Sequence, residues 1–221
     1  MWCIPKLTDE YIELMEDILD LYEKPYNPQE PVICCDEKSI QLLEDTREGT
    51  PTTETSARKV DYEYKRNGTR NIFVSVEPKR GKRRTKVTKR RTKKDFAYAI
   101  KQLILQEYPH ATTIHLVMDN LNTHFQKSLM ATFGKEEADI LWGKLTGHYT
   151  PKHASWLNMA EIEIGILSRQ ALKKRIGDEV TLKSEIRAWQ IKRNREKKTI
   201  TWKFTKEDAR KALKYVPTEL N

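Results

Sequence analysis

The stretch PVICCDEKSIQLLE, residues 31–44, contains the strongest strand signal of the sequence and two adjacent acids. Residues 32–35 form a short apolar run that is typical of an interior β-strand. Asp36 and Glu37 follow this run directly. Because an unpaired charge in an apolar interior costs several kcal/mol or shifts its pKa, we expect a partner group or a cation to neutralise the acid.

A second apolar strand is predicted over TIHLVMD, residues 113–119, and it also ends in an acid, Asp119. It follows a helix predicted over residues 93–108, so helix and strand alternate in this part of the chain. In open α/β sheets the ligand-binding crevice forms at the carboxyl ends of the strands. We therefore expect Asp36 and Asp119 to lie close together, where a third acid would complete a metal site.

Candidates for the third acid lie on a helix predicted over residues 158–176, within HYTPKHASWLNMAEIEIGILSRQAL. Glu161 falls in the first turn, and Glu163 lies about 200° around the helix axis from it, so only one of them can join the aspartates. An apolar stripe runs beside Glu161: Ala160, Ile164, Leu167 and Ala171. This pattern favours Glu161 as the inward acid and predicts that Glu163 points elsewhere.

The remaining segments predict an α/β fold with a mixed sheet flanked by helices. Thr8 can cap a first helix, the polar residues 45–59 predict a loop, and Asn67 with Gly68 predicts a tight hairpin turn. A third strand in KRRTKVTKRR would complete an antiparallel meander ahead of the parallel strands. Further helices are predicted over residues 124–133, 136–145, 182–196 and 206–214.

Length and charge narrow the class of protein. The 221 residues suffice for one good-sized core, and 41 Lys and Arg against 32 Asp and Glu give a net charge of +9 that favours an anionic partner such as nucleic acid. The chain has neither an apolar stretch long enough for a membrane span nor a secretory signal, which predicts a reducing cytoplasm. Cys3, Cys34 and Cys35 lack CxxC spacing, so core packing is favoured over zinc or a disulfide.

The run KRGKRRTKVTKRRTKK, residues 79–94, contains 11 basic residues and no acid. Such a run can neutralise several phosphates of a nucleic acid, or it can form a solvated hairpin face, and the sequence leaves both interpretations open. If it binds DNA, it should form an exposed hairpin and strand on the side of the acids. The candidate DNA-binding residues in this run are Lys82, Arg83, Arg84, Lys86, Arg90 and Arg91.

Side chains near the three acids offer further candidates. His153 could contact phosphate, although a loop histidine is the simpler interpretation, and Trp156 could stack on a base or pack against the core. Four residues could hydrogen-bond the metal ligands: Glu37, Asn120, His124 and Asn158. For Glu37 and Asn120 an orientation toward the other side of the strand is an equal alternative, and Asn158 is also a candidate helix cap.

At these residues the sequence resembles the bacterial insertion-sequence transposases of the mariner superfamily. The resemblance rests on DEKSIQLL, DYEYKRNGTRNIF, KVTKRRTKKDF, VMDNLNTH and HYTPKHASWLNMAEIEIGILSRQ, and it extends through WCIP and WKFTKEDARKAL to nearly the whole chain. It implies a ribonuclease-H-like fold with a DDE triad on Asp36, Asp119 and Glu161. It also implies two Mg²⁺ or Mn²⁺ ions held by these carboxylates, which would stabilise the attacking and leaving oxygens of a phosphodiester.

The same resemblance implies a bacterial, nucleoid-associated enzyme that acts on insertion-sequence ends and target DNA. Its relatives carry helix-turn-helix regions ahead of WCIP, so we expect residues 1–221 to form the catalytic domain alone, acting as a homodimer or with a separate DNA-binding subunit. Within it, residues 1–30 would form a helix and connector, 31–176 the core and 177–221 the C-terminal helices. A non-catalytic DNA-binding remnant and a ribonuclease-H-type nuclease stay as alternatives.

Overall fold

The structure is a computed structural model that describes residues 7–47, 49–50, 53–55, 57, 62–120 and 125–215. The strands in these residues are β1 (Val32–Asp45), β2 (Tyr64–Glu77), β3 (Lys82–Thr88), β4 (Ile114–Met118) and β5 (Leu145–Tyr149). The α-helices are α1 (Asp9–Glu23), α2 (Lys93–Gln102), α3 (Gln126–Phe133), α4 (Lys135–Trp142), α5 (Met159–Gln170), α6 (Glu179–Arg195) and α7 (Lys206–Leu213). A π-helical turn follows α2, and a 3₁₀ turn precedes α5.

The strands form one mixed sheet in the order β3-β2-β1-β4-β5. The pairs β3–β2 and β2–β1 are antiparallel, whereas β1–β4 and β4–β5 are parallel. The predicted α/β class, with a meander followed by parallel strands, is therefore confirmed. None of the helices in the described residues is long and apolar enough to cross a membrane.

Alternating side chains of the central strands pack into a hydrophobic core on each face of the sheet. Ile33 packs with Leu116 and Phe96 on the face that α2, α3 and α4 cover. Cys34 and Val117, the next residues along, pack on the opposite face against α1 and the start of α5. This alternation explains the apolar run at the start of β1 and the mostly apolar sequence of β4, because strand segments buried on both faces have no solvent side.

The strand β1 is longer than the sequence predicted, and Asp36 lies within it rather than at its end. β1 pairs with β4 only from Val32 to Cys34, but it pairs with β2 from Cys34 to Asp45. The acids therefore come directly after the level at which β4 stops. Beyond this level β1 continues with β2 as an antiparallel ribbon, which the apolar run at residues 32–35 could not reveal.

The predicted hairpin turn at Asn67 and Gly68 is wrong, because both residues lie inside the continuous strand β2. Gly68 has a φ of +88°, and the register of β2 against β1 shifts between Gln41 and Leu43, so the pair forms a β-bulge. A bulge and a hairpin turn both use residues that tolerate positive φ, so the dipeptide does not distinguish them.

Two other differences concern a helix end and a short strand. The helix α5 ends at Gln170 instead of residue 176, and the short strand β5 was not predicted. The hydroxyl of Thr8 accepts a hydrogen bond from the Tyr11 amide and caps α1, as predicted. Part of the predicted loop over residues 45–59 lies outside the described residues.

Candidate functional site

The two aspartates lie at the same level on adjacent parallel strands. In the register of β1 and β4, Cys34 is opposite Val117. Asp36 and Asp119 each follow two residues later, so both carboxylates leave the sheet at the edge where β4 ends. The sequence predicted this juxtaposition, and it requires only that the two strands be neighbours.

The start of α5 is fixed against β1 by one side chain, Asn158. Its Oδ1 accepts a hydrogen bond from the Ala160 amide at 3.1 Å and caps the helix, while its Nδ2 donates to the Cys35 carbonyl oxygen at 2.8 Å. Cys35 is the residue before Asp36. Asn158 therefore joins the helix N-terminus to the strand position of the first aspartate, and Glu161 lies in the first turn of that helix.

The pKa of Asp36 reflects its burial and the neighbouring acids. Burial, and then the charges of Glu161, Asp119 and Glu37, together raise the pKa of Asp36 to about 7, although a hydrogen bond from the Glu37 amide lowers it. That hydrogen bond reaches Oδ1 of Asp36 at 2.7 Å. A buried carboxylate surrounded by other carboxylates is a place where a cation is favoured.

Glu163 points away from the aspartates, as predicted, but the reasoning from the apolar stripe was wrong. Glu163 is fully buried, whereas Glu161 is exposed at the start of α5. Both arginines that contact the Glu163 carboxylate, Arg83 and Arg193, neutralise it inside the core. The helix face that packs against the sheet thus carries an acid of its own, which a count of apolar residues cannot show.

The acids suit a hard divalent cation by their chemistry. Carboxylate oxygens are the ligands that Mg²⁺ and Mn²⁺ prefer, and two of the three are held by strands of the central sheet. Across the described part of the chain, no three His, Cys, Asp or Glu side chains already lie at the spacing of a metal centre. The donor set therefore fits a divalent ion, with Glu161 on the helix as the exposed member.

The basic run is not an exposed hairpin, because its first half is the edge strand β3 and α6 packs against it. Arg83 is buried with Glu163 and is not available to DNA, which corrects its prediction as a DNA contact. Lys82 and Arg84 form ion pairs with Glu107 at 2.9 and 3.2 Å. Their charges are therefore already partly neutralised within the protein.

The second half of the run remains exposed. Arg90 and Arg91 are exposed in the segment between β3 and α2. Arg91 approaches Glu37, with 4.0 Å between Nη1 and Oε2. The Glu37 side chain is only 2% exposed and, by strand alternation, lies on the face opposite to Asp36.

A basic groove of about 580 Å³ lies between the free edge of β3 and α6. Its cationic residues come from both walls: Arg84, Lys86, Lys183 and Arg187. Among the described residues that line it, none is acidic. Sequence reasoning missed Lys183 and Arg187, because a helix with basic residues along its length gives no sign of which ones face a strand.

The other predicted site residues lie in a cavity beside α1 or in an aromatic cluster, except for one outside the described residues. Asn120 and His153 line a cavity of about 420 Å³ with Tyr11 of α1, and His153 is exposed with a φ of +67°. Trp156 is half-buried and stacks on Trp202 with ring centroids 6.3 Å apart. The structure thus gives Trp156 a packing partner, while His124 lies outside the described residues.

Comparison with known proteins identifies the superfamily of this chain. Residues 31–183 match the family model of the DDE superfamily of endonucleases, and the chain belongs to that superfamily. Its fold is the ribonuclease-H-like fold found in solved structures of the mariner transposase Mos1. A comparison with curated proteins found no significant match.

Three of the similar structures are Mos1 complexes. The paired-end complexes with Mn and with Mg are each 12% identical with a TM-score of 0.60, and the strand transfer complex is 10% identical with a TM-score of 0.56. The matches cover 90%, 97% and 86% of this chain, but 60%, 64% and 57% of the Mos1 chains, in the same order. This chain therefore spans about three fifths of the length of the proteins that share its fold.

Proposed function

We propose that this chain is the catalytic domain of a DNA transposase, which hydrolyses phosphodiesters and joins strands with the help of divalent metal ions. One observation carries the proposal: Asp36 and Asp119 leave adjacent parallel strands at the same level, and Asn158 ties the helix of Glu161 to the strand of Asp36. Membership of the DDE superfamily supports the same assignment.

In this proposal Asp36, Asp119 and Glu161 hold two Mg²⁺ or Mn²⁺ ions. When bound, such ions stabilise the charge on the attacking and leaving oxygens of a phosphodiester. The protein contributes rigid placement: the strands hold the two aspartates, and the capped first turn of α5 holds the glutamate. Placement of this kind matters because displacements of about 1 Å can cost about 100-fold in rate.

DNA is the proposed partner because the chain is basic overall and carries a basic groove. The chain carries a net charge of +9, and four cationic residues line the groove between β3 and α6. Two of them, Arg84 and Lys183, also form ion pairs with Glu107 and Glu179. The Mos1 structures of this fold include a paired-end complex with a transposon end and a strand transfer complex. Insertion-sequence ends and target DNA are therefore the proposed substrates here, with a homodimer or a helix-turn-helix subunit assisting recognition.

The proposal is tested by metal-dependent nicking of supercoiled plasmid DNA, which needs no specific end sequence. We expect Asp119→Asn to lose about 100-fold or more in nicking rate with Mn²⁺ or Mg²⁺, because the substitution removes a charge that holds the ions. DNA affinity should be retained, since an acid beside the phosphates has been removed. The matched control is Glu185→Gln, an exposed acid on α6 that should nick as the wild type does.

Two outcomes would contradict the proposal. If the wild-type chain binds plasmid DNA but shows no metal-dependent nicking, the chain is a DNA-binding remnant. If it cleaves an RNA–DNA hybrid in preference to plasmid DNA, it selects for a 2′-hydroxyl and is a ribonuclease.

A further inference from the structure

A buried cluster of three charged side chains lies between β3, α5 and α6. The carboxylate of Glu163 accepts hydrogen bonds from Nε and Nη2 of Arg83 at 2.8 and 3.0 Å. It also accepts bonds from Nε and Nη2 of Arg193 at 2.8 and 3.2 Å. The residues are 0%, 1% and 9% exposed for Glu163, Arg83 and Arg193. Each arginine thus bonds both carboxylate oxygens through two N–H groups, an arrangement called a fork below.

The cluster joins three elements whose other contacts are apolar packing and hydrogen bonds of Asn and Gln side chains. Glu163 belongs to α5, Arg83 to β3 and Arg193 to α6. The remaining Arg83 donors bond to the carbonyl oxygens of Gly81 and Lys198, so the extra positive charge is also satisfied. Each partner of the cluster therefore constrains the others in direction as well as in distance.

Such a cluster is a poor way to obtain stability alone. Taking three charges out of water costs about as much as their attraction returns, and well-packed apolar residues of similar volume often do as well or better. The paired fork geometry, in contrast, fixes orientation, because an arginine and a carboxylate bond bidentately only in one plane. The distinctive property of this cluster is thus geometric.

The orientation that it fixes is that of the helix bearing Glu161. Glu163 lies two residues after Glu161, about 200° around the same helix, so holding Glu163 on the core side holds Glu161 on the other. Asn158 fixes the start of α5 against Cys35, one turn before. Together the two attachments determine both the position of the helix end and its rotation about its axis.

We infer that Arg83, Glu163 and Arg193 are positioning residues, which set the rotation of α5 so that Glu161 reaches the metal ions bound by the aspartates. This inference rests on the proposed function. It assigns no contact with substrate or metal to the cluster. Its signature is a loss of metal affinity that is independent of any loss of stability.

The test replaces the cluster with apolar residues of similar volume in the full chain, as Arg83→Met, Glu163→Leu and Arg193→Met together. Mn²⁺ binding is followed by the electron paramagnetic resonance signal of the free ion, and thermal unfolding is followed in parallel. We expect a folded protein with a melting temperature near that of the wild type and an Mn²⁺ affinity at least about tenfold weaker, the scale seen when groups supporting metal ligands are removed.

A second variant covers the case in which the triple variant does not fold. Arg193→Lys keeps the positive charge at the most exposed residue of the cluster but cannot bond the carboxylate through two N–H groups in one plane. This variant should fold, and it should bind Mn²⁺ several-fold more weakly than the wild type. Ile186→Val is the matched control: this residue is buried on α6 outside the cluster, so it should lower the melting temperature and leave the Mn²⁺ affinity unchanged.

The possible outcomes distinguish failure of the positioning role from failure of the proposed function. Wild-type Mn²⁺ affinity in a folded triple variant, or in Arg193→Lys if only that variant folds, would overturn the positioning role and leave the proposed function intact. Equal Mn²⁺ binding by the wild type and Glu161→Gln would instead remove Glu161 from the metal site, and the inference with it. Weakened binding in Ile186→Val would show that general stability controls affinity and would also overturn the inference.

Discussion

At the scale of single residues, a chain of three side chains links α1 to the parallel strands. Nδ1 of His148 lies 2.6 Å from Oδ2 of Asp17, and Nε2 of His148 lies 3.0 Å from Nδ1 of His115. One ring must accept the hydrogen bond between the histidines, so they cannot both be protonated without losing it. The pKa of His115 is lowered, first by burial and then by the charge of His148.

This arrangement predicts that acid weakens the fold in a particular window. Because the pKa of His115 is lower in the folded state than its ordinary value of 6.5, the unfolded chain takes up a proton first. The contribution of His115 to stability should thus be fully present well above pH 6.5 and should fall as the pH decreases through 6.5. Asp36 acts in the opposite direction, because its folded pKa is raised to about 7, so the contribution of His115 is the difference between the profiles of the wild type and of a variant without it. The measurement is the midpoint of urea unfolding between pH 5 and 7.5.

The matched variants for this prediction are His115→Gln and His110→Gln. His115→Gln should reduce the loss of stability below pH 6.5, because the group that resists protonation is gone. His110 is exposed, so its replacement should leave the profile unchanged. An identical pH profile in the wild type and His115→Gln would show that other groups cause the loss.

The positions of the acids could be predicted from the sequence because each depends on local order. An apolar run followed by an acid places each aspartate just beyond the parallel pairing of β1 and β4, and a helix cap three residues before Glu161 sets its first turn. The burial of Arg83 could not be predicted, because it depends on Glu163 and Arg193, which lie far away along the chain. Within a run of 11 basic residues, nothing local distinguishes the one that enters the core.

At the scale of elements, two glycines predict opposite effects of substitution by alanine. Gly68 has a φ of +88° at the bulge of β2, where an alanine should cost about 1–2 kcal/mol of unfolding free energy. Gly165 lies inside α5, and an added Cβ would meet only the end of the Arg169 side chain at 3.4 Å. Gly165→Ala should therefore stabilise by about 0.5–1 kcal/mol, as measured by urea unfolding.

The result for Gly68 also tests the bulge itself. If Gly68→Ala were neutral while Gly165→Ala stabilised the protein, the positive φ at residue 68 would not be a requirement of the fold. The sequence could predict that this dipeptide needs unusual backbone angles. Whether it turns the chain or bulges the strand depends on whether β1 continues alongside, which is a long-range property.

The groove between β3 and α6 predicts a specific effect on DNA binding. Replacing both Lys183 and Arg187 with alanine should lower the slope of log affinity against log salt by about 1.8, because each lost phosphate contact contributes about 0.9. Removing the exposed Lys192 and Lys211, which do not line the groove, is the matched control of equal charge. Equal decreases in both double variants would indicate a general effect of net charge rather than the groove.

The strand β5 shows where prediction of elements from sequence stops. Its five residues, LTGHY, include a glycine and have no apolar run, and they form a strand because β4 is already in place to pair with them. The longer elements with their own caps and apolar periodicity were predicted more closely. Thr8 marks the start of α1 as predicted, and the helix predicted over residues 93–108 corresponds to α2 with the π-helical turn that follows it. Short elements whose stability comes from a neighbour carry too little local signal.

At the scale of the whole molecule, the fold separates placement of the acids from the surfaces proposed to hold DNA. The centre of the sheet positions Asp36 and Asp119, whereas the basic groove lies at the outer edge, on β3 and α6. The helix α5 contacts both β1 and α6 and so connects the two regions.

The central claim is that three carboxylates form one metal centre, and Mn²⁺ binding to the full chain tests it most directly. Calorimetric titrations should compare the wild type with Asp36→Asn, Asp119→Asn and Glu161→Gln. We predict that each substitution weakens Mn²⁺ binding at least about tenfold, and that a pair of them costs less than the sum of the two single effects, because the ligands act on shared ions. Wild-type affinity in any one of the three variants would contradict the claim, since that carboxylate would then lie outside the metal centre.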